Sequence, residues 1–191
     1  TLAEVDKNYR PIPNSETYYS FDTLLLSVGL IPENELTKSM GISIDPVTSG
    51  PVVNERLETE EKGVYACGNV LHVHDLVDFV SEEAYLAGKH AADYVLSGQK
   101  NVDTDSTVHI KTDNGVRYSV PQKININEIQ DKVTVRFRVT DIFRNRYIAV
   151  YYDNDLIHKR KAKVLAPGEM EQVVLTESSF EKYKDLNCIT I

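Results

Sequence analysis

Between residues 98 and 106 the spacing of apolar residues changes from a helical period to a strand period, which limits the chain to two differently built parts. Before the switch, Leu76, Phe79, Val80, Ala84, Ala87, Ala91 and Val95 recur largely three or four positions apart, predicting a helix that ends near Leu96 before Ser97-Gly98. Asp75 is the expected N-cap, with Asp78 a second acid in the first turn. The small residues Ala84, Ala87, Gly88, Ala91 and Ala92 let such a helix approach a sheet or a flat ligand closely. After the switch, short alternating runs are expected at 108–111, 116–120, 133–139, 147–151, 156–161, 172–175 and 188–191, separated by turn-forming residues. About seven short strands in roughly 90 residues predict a small all-β sandwich over 107–191, with 99–106 as linker.

The part before residue 98 reads as α/β. Leu24-Leu25-Leu26-Ser27-Val28 is a nearly continuous apolar run closed by Gly29, as in a strand buried on both faces of a parallel sheet. A short helix is expected over 33–39, and Val64-Tyr65-Ala66-Cys67 is a second small buried strand ending at Gly68. An opening that reads as the middle of a strand suggests a piece of a longer protein.

Charge follows the same division. Residues 1–100 hold 16 acids against 7 Lys and Arg, whereas residues 101–191 hold 13 against 14. The first part therefore lacks the clustered bases that phosphate tracking requires, and Arg136 and Arg138, alternating with Val135, Phe137 and Val139, look like the solvated face of a strand. Nucleic acid is not an expected partner. No apolar run spans a membrane, and Cys67 and Cys188 form neither a close pair nor a metal motif, so a reducing cytoplasm is the expected compartment. Both cysteines read as small core residues.

The most informative local arrangement is a buried strand running into Gly68 and Asn69, then a loop, then the helix. Strand ends that face helix N-termini gather free amides, so Gly68, Asn69, Leu76, Val77 and Asp78 form a candidate nucleotide site, against the plainer reading of a tight turn. His72 and His74 lie two apart in that loop. With Asp75 they could imitate part of a metal site, but no further ligand is evident and no metal is expected. Glu82 and Glu83 are adjacent on the helix and point in different directions, so they make no acid/base pair.

These segments, TLLLSVGLIPENEL (23–36), GPVVNERLETEEKGVYACGNV (50–70) and the helix to Leu96, resemble the last portion of the FAD domain in the pyridine-nucleotide-disulfide oxidoreductase class, particularly its thioredoxin-reductase-like NAD(P)/FAD-dependent dehydrogenases. In that class an apolar strand ending in glycine, with proline three residues on, marks the return from the NAD domain to the FAD domain, positions held here by Gly29 and Pro32. The stretch ending Gly68-Asn69 is similar to the second FAD motif, with Asn69 where an acid is usual.

The resemblance implies an incomplete Rossmann-like sheet in 1–98, FAD and NAD(P)H as cofactors of the full-length protein, and cofactor contacts from Gly29, Gly68, Asn69, Val70, Leu76, Val77 and Asp78. It also places His72 and His74 beside the flavin as catalytic, proton-handling residues. Neither Gly-x-Gly-x-x-Gly fingerprint of the class is present, nor its redox-active Cys-x-x-Cys. The chain alone is therefore expected to hold no FAD and to be inactive, its partners being the missing N-terminal FAD/NAD(P) domains and a homodimer mate or redox protein. The LAPGEM turn (165–170) and the strand after it resemble immunoglobulin-like accessory modules. The alternative function is a non-catalytic two-domain scaffold or protein-interaction module.

Overall fold

The computed structural model describes residues 1–98 and 106–191; the expected linker lies, apart from Ser106, outside the described residues. Eight strands follow: β1 (Thr107–Lys111), β2 (Val116–Val120), β3 (Lys123–Asn125), β4 (Lys132–Val139), β5 (Phe143–Tyr152), β6 (Asp155–Leu165), β7 (Glu171–Thr176) and β8 (Cys188–Thr190). They form a five-stranded sheet ordered β3-β1-β8-β5-β6 and a three-stranded sheet ordered β2-β4-β7. Pairing is antiparallel except between β1 and β8, which run parallel with Ile110 opposite Ile189. Every run expected within 107–191 forms a strand, whereas the one expected over 64–67 makes only the bridge at Tyr65; β3, three residues long, is too short to show an alternation.

The two sheets enclose one apolar core. Val108, Ile124 and Val150 of one sheet meet Val135, Phe137 and Leu175 of the other, and Tyr152 stacks on Phe180 at 4.8 Å between ring centroids. On β4, Val133, Val135, Phe137 and Val139 face this core. The opposite face differs from expectation: Arg136 is only 4% exposed, and Arg138 is also largely covered. Both turn toward residues 1–98, so alternation identified a shared face correctly while its cover is protein and not solvent.

Residues 1–98 contain α1 (Glu35–Ser39), a single 3-10 turn (Gly68–Val70) and α2 (Val77–Leu96). Pairing among the extended segments is limited to isolated bridges, such as Ile44 with Pro51 and Glu58 with Tyr65. The strand expected over 21–29 is not formed, and its side chains are open, with Leu25 90% and Val28 88% exposed. An apolar run acquires strand geometry only by hydrogen bonding to neighbouring strands, and the described residues offer this one none.

α2 also differs in detail. It starts at Val77 with no side-chain cap, and its buried positions are Glu83 and Ala87, while Leu76, Ala84 and Val95 are exposed. The inner stripe is thus rotated from the expected one and carries an acid at its centre. Ser97 and Gly98, the latter at φ +74°, end the helix as expected.

The halves meet along α2 and the three-stranded sheet. Tyr118 and Val120 of β2 join Val53, Leu57, Ala66, Leu71 and Ala87 in a second apolar cluster. Around it the backbone amide of Val53 donates to Gln122 Oε1 at 3.0 Å, the amide of Asn125 donates to Glu55 Oε2 at 2.7 Å, and Arg56 pairs with Glu128.

Candidate functional site

The segment after Ala66 turns at Gly68, whose φ of +67° suits glycine and whose added Cβ would sit 3.2 Å from Val80 Cγ1. Its carbonyl accepts from the amides of Leu71 and His72, closing a tight turn that returns the chain toward α2. Its amide donates to Glu83 Oε2 at 2.9 Å.

Glu83 is the hub. His72 Nε2 lies 2.8 Å from Oε1 and His74 Nε2 2.9 Å from Oε2, with the two rings edge to face at 4.3 Å. Arg136 of β4 contributes Nη1 at 3.5 Å to Oε1, sends Nη2 to Glu82 and lies over the Phe79 ring. The side chains of Glu83, His72 and His74 are each 1% exposed. Burial pushes the Glu83 carboxyl up, but hydrogen bonds from His72 and His74 outweigh it and hold the group at about 2. Burial lowers His72 below the ordinary imidazole range despite its bond to Glu83. The hub is therefore an anionic carboxylate beside a guanidinium and a neutral His72.

The end of the loop is held by the sandwich. Arg138 donates from Nε to Tyr118 Oη at 3.1 Å, from Nη1 to the Pro167 carbonyl at 3.2 Å and from Nη2 to the Val73 carbonyl at 3.0 Å. Asp75, expected as the helix cap, instead pairs with Arg138 and accepts from the Met170 amide at 3.1 Å. Asn69, an exposed residue, accepts at Oδ1 from the His74 amide at 3.1 Å.

Gly68, Asn69, Val70, His72 and His74 thus share one folded loop, and Leu76, Val77 and Asp78 are exposed at the adjoining uncapped helix start. Gly29 stands apart, exposed at φ +100° with nothing within 4 Å of an added Cβ. The residues just after it, Leu30, Ile31 and Pro32, nevertheless share an open cavity of about 460 Å³ with His72, Val73 and Arg138. Cys67 is half-buried with its thiol pushed up by burial and then by Glu83, which suits a packing role.

Sequence reasoning missed Glu83, Arg136, Arg138 and Tyr118. The available signal for Glu83 was its place three positions after Val80 and four before Ala87, on one helical stripe. His72, His74 and Glu83 are also the set of possible metal ligands among the described residues, with ligand atoms within 4.8 Å of one another. Glu83 is thus the further ligand that the sequence did not reveal, and its oxygens are already engaged by both Nε2 atoms, the Gly68 amide and Arg136. No described helix is long and apolar enough to cross a membrane.

Residues 1–91 match the family model described as pyridine nucleotide-disulphide oxidoreductase. The chain is 27% identical over 89 residues to a ferredoxin--NADP reductase of Picrophilus torridus, a match covering 44% of this chain and 27% of that protein. It therefore spans about a quarter of the length of that curated relative. No solved structure gives a significant match. Over this first part the chain is thus similar to pyridine nucleotide-disulphide oxidoreductases and to that reductase.

Proposed function

We propose that residues 1–98 complete the FAD site of a flavin-dependent NAD(P)H oxidoreductase, and that residues 107–191 are an accessory sandwich, immunoglobulin-like in kind, bracing the cofactor-facing loop. The observation that carries this reading is the match over residues 1–91. It agrees with the surface: the apolar run at 24–28, the uncapped start of α2 and Tyr85, Val95 and Leu96 all stand open, as expected of faces made to meet another nucleotide-binding part. In this reading the buried turn at Gly68 sets the path of the cofactor-facing loop. Asn69 and Val70 serve its ribityl and pyrophosphate region, and the amides of Leu76, Val77 and Asp78 face the flavin edge where negative charge accumulates on reduction. Bound FAD would accept hydride from NAD(P)H, while His72 and His74 serve as the nearby proton-handling groups.

The chain alone supplies one wall of that site and is expected to remain colourless with added FAD. The protein as its gene encodes it, purified and scanned for flavin absorbance, is expected to carry FAD, and a colourless product that takes up none would sink the proposal. In that protein Asn69→Ala should weaken FAD binding by about 1–2 kcal/mol, through the lost hydrogen bond and the released His74 amide. An unchanged dissociation constant would remove Asn69 from the site.

A further inference from the structure

We infer that Glu83 is the positioning residue of the histidine loop, fixing His72 and His74 as Nε2–H imidazoles so that each can only accept, at Nδ1, a hydrogen bond from a ligand's N–H or O–H. The importance of this for a flavin site rests on the function proposed above; the tautomers themselves do not.

The geometry permits little else. An ionised carboxylate only accepts, and Glu83 meets Nε2 of both rings at 2.8 and 2.9 Å while also receiving the Gly68 amide and an Arg136 N–H. An Nδ1–H tautomer would set a ring lone pair against the carboxylate and leave the proton without an acceptor. Protonating His72 would add a second cation beside Arg136, in a group whose side chains are 1% exposed. The other titratable groups facing the cluster are Glu82 and Asp75, which are paired with Arg136 and Arg138, and Tyr118 and Cys67, which burial holds neutral. Nδ1 of His72 and Nδ1 of His74 are then two buried lone pairs without a protein donor. Such atoms are normally satisfied, so the pair is built to receive a donor from outside the chain. His72 forms part of the wall of the cavity beside Leu30 and Arg138, through which such a group would approach.

The test is side-chain proton–nitrogen correlation spectroscopy on the full chain with nitrogen-labelled histidine at neutral pH. His72 and His74 should both show a protonated Nε2 and a bare Nδ1; an imidazolium or an Nδ1–H pattern at either ring would overturn the inference. In Glu83→Gln the amide has one accepting oxygen and one donating nitrogen. One ring should therefore keep its tautomer and the other change, and two unchanged rings would mean that Glu83 does not set them. Should the variant fail to fold, the parent spectrum still decides. Titration with zinc ion should leave both Nε2 signals in place, and a stoichiometric shift of both would make them metal ligands instead. In the gene-encoded protein, FAD should move an Nδ1 signal while Nε2 holds. An unmoved Nδ1 in a protein that binds FAD overturns the accepting role, whereas failure to bind FAD defeats the flavin reading and leaves the tautomers standing.

Discussion

The sandwich and residues 1–98 each contribute to a buried cluster, but the two clusters are made in opposite ways. The larger lies entirely within residues 108–191, where two sheets close on each other's aliphatic and aromatic side chains. The smaller is incomplete without Tyr118 and Val120 of β2, and beside it lies a charged network of Glu83, two imidazoles and Arg136. One part is finished by its own sequence. The other is finished by its neighbour, and still leaves the 24–28 run open.

The widest break in this contrast is separation. Residues 106–191 alone should fold cooperatively with a β-type circular dichroism spectrum, while residues 1–98 alone, losing Tyr118, Val120 and both arginine braces, should aggregate. Sedimentation of the two pieces checks this, and a monomeric, cooperatively unfolding 1–98 would show that the smaller cluster does not need the sandwich.

The same contrast explains what could be read from the chain. Strand alternation is local, so Val133, Val135, Phe137 and Val139 announced a core face without knowledge of topology. The 24–28 run has the composition of a central strand, but strand formation is a property of partners, and composition does not say whether they are present. Arg136 and Arg138 share a face by the same alternation, yet whether water or another part of the protein covers that face is non-local information. The loop from Gly68 to His74 was legible as a candidate site because a glycine turn, an amide side chain and a helix start coincide within a few residues. Its organiser was not, since Glu83 reaches it from α2 and Arg136 from β4.

The next largest effect should come from Glu83. Glu83→Ala would leave Arg136 and two imidazole N–H groups facing a buried gap, and a loss of about 3–5 kcal/mol is expected from urea unfolding. Its neighbour sharpens the comparison: the Glu82 side chain is 61% exposed, and Glu82→Ala should cost less than about 1 kcal/mol although it also pairs with Arg136. Equal losses would mean that the network behaves as a surface ion pair.

Arg138→Ala tests the second brace. Removing its bonds to Tyr118, Val73 and Pro167 should cost about 2–3 kcal/mol, whereas Arg144→Ala on the exposed part of β5 should stay within about 0.5 kcal/mol. If the two variants unfold at the same denaturant concentration, the loop is not held from the sandwich.

The smallest effect is a pH dependence that the two parts should not share. His72 is lowered from 6.5 in the folded state by burial, so unfolding takes up a proton there and stability falls as pH drops below about 6.5. The slope is at most about 1.4 kcal/mol per pH unit for that group. Glu83 is lowered from 4.5 to about 2 by its two histidine bonds, which outweigh burial, so its contribution is complete above 4.5 and is lost as pH falls toward 2. Acid therefore weakens the hub twice, first through an imidazole that must charge and then through a carboxylate that must not discharge. His72→Gln retains a donor for Glu83 but does not titrate, and should reduce the segment of the profile below 6.5, leaving the share of His90, which burial also lowers. The folded core of residues 106–191 contains no such cluster among its described residues, so unfolding of that piece should show no matching step. A step of equal size in both would place the titrating group in the sandwich and remove His72 from the explanation.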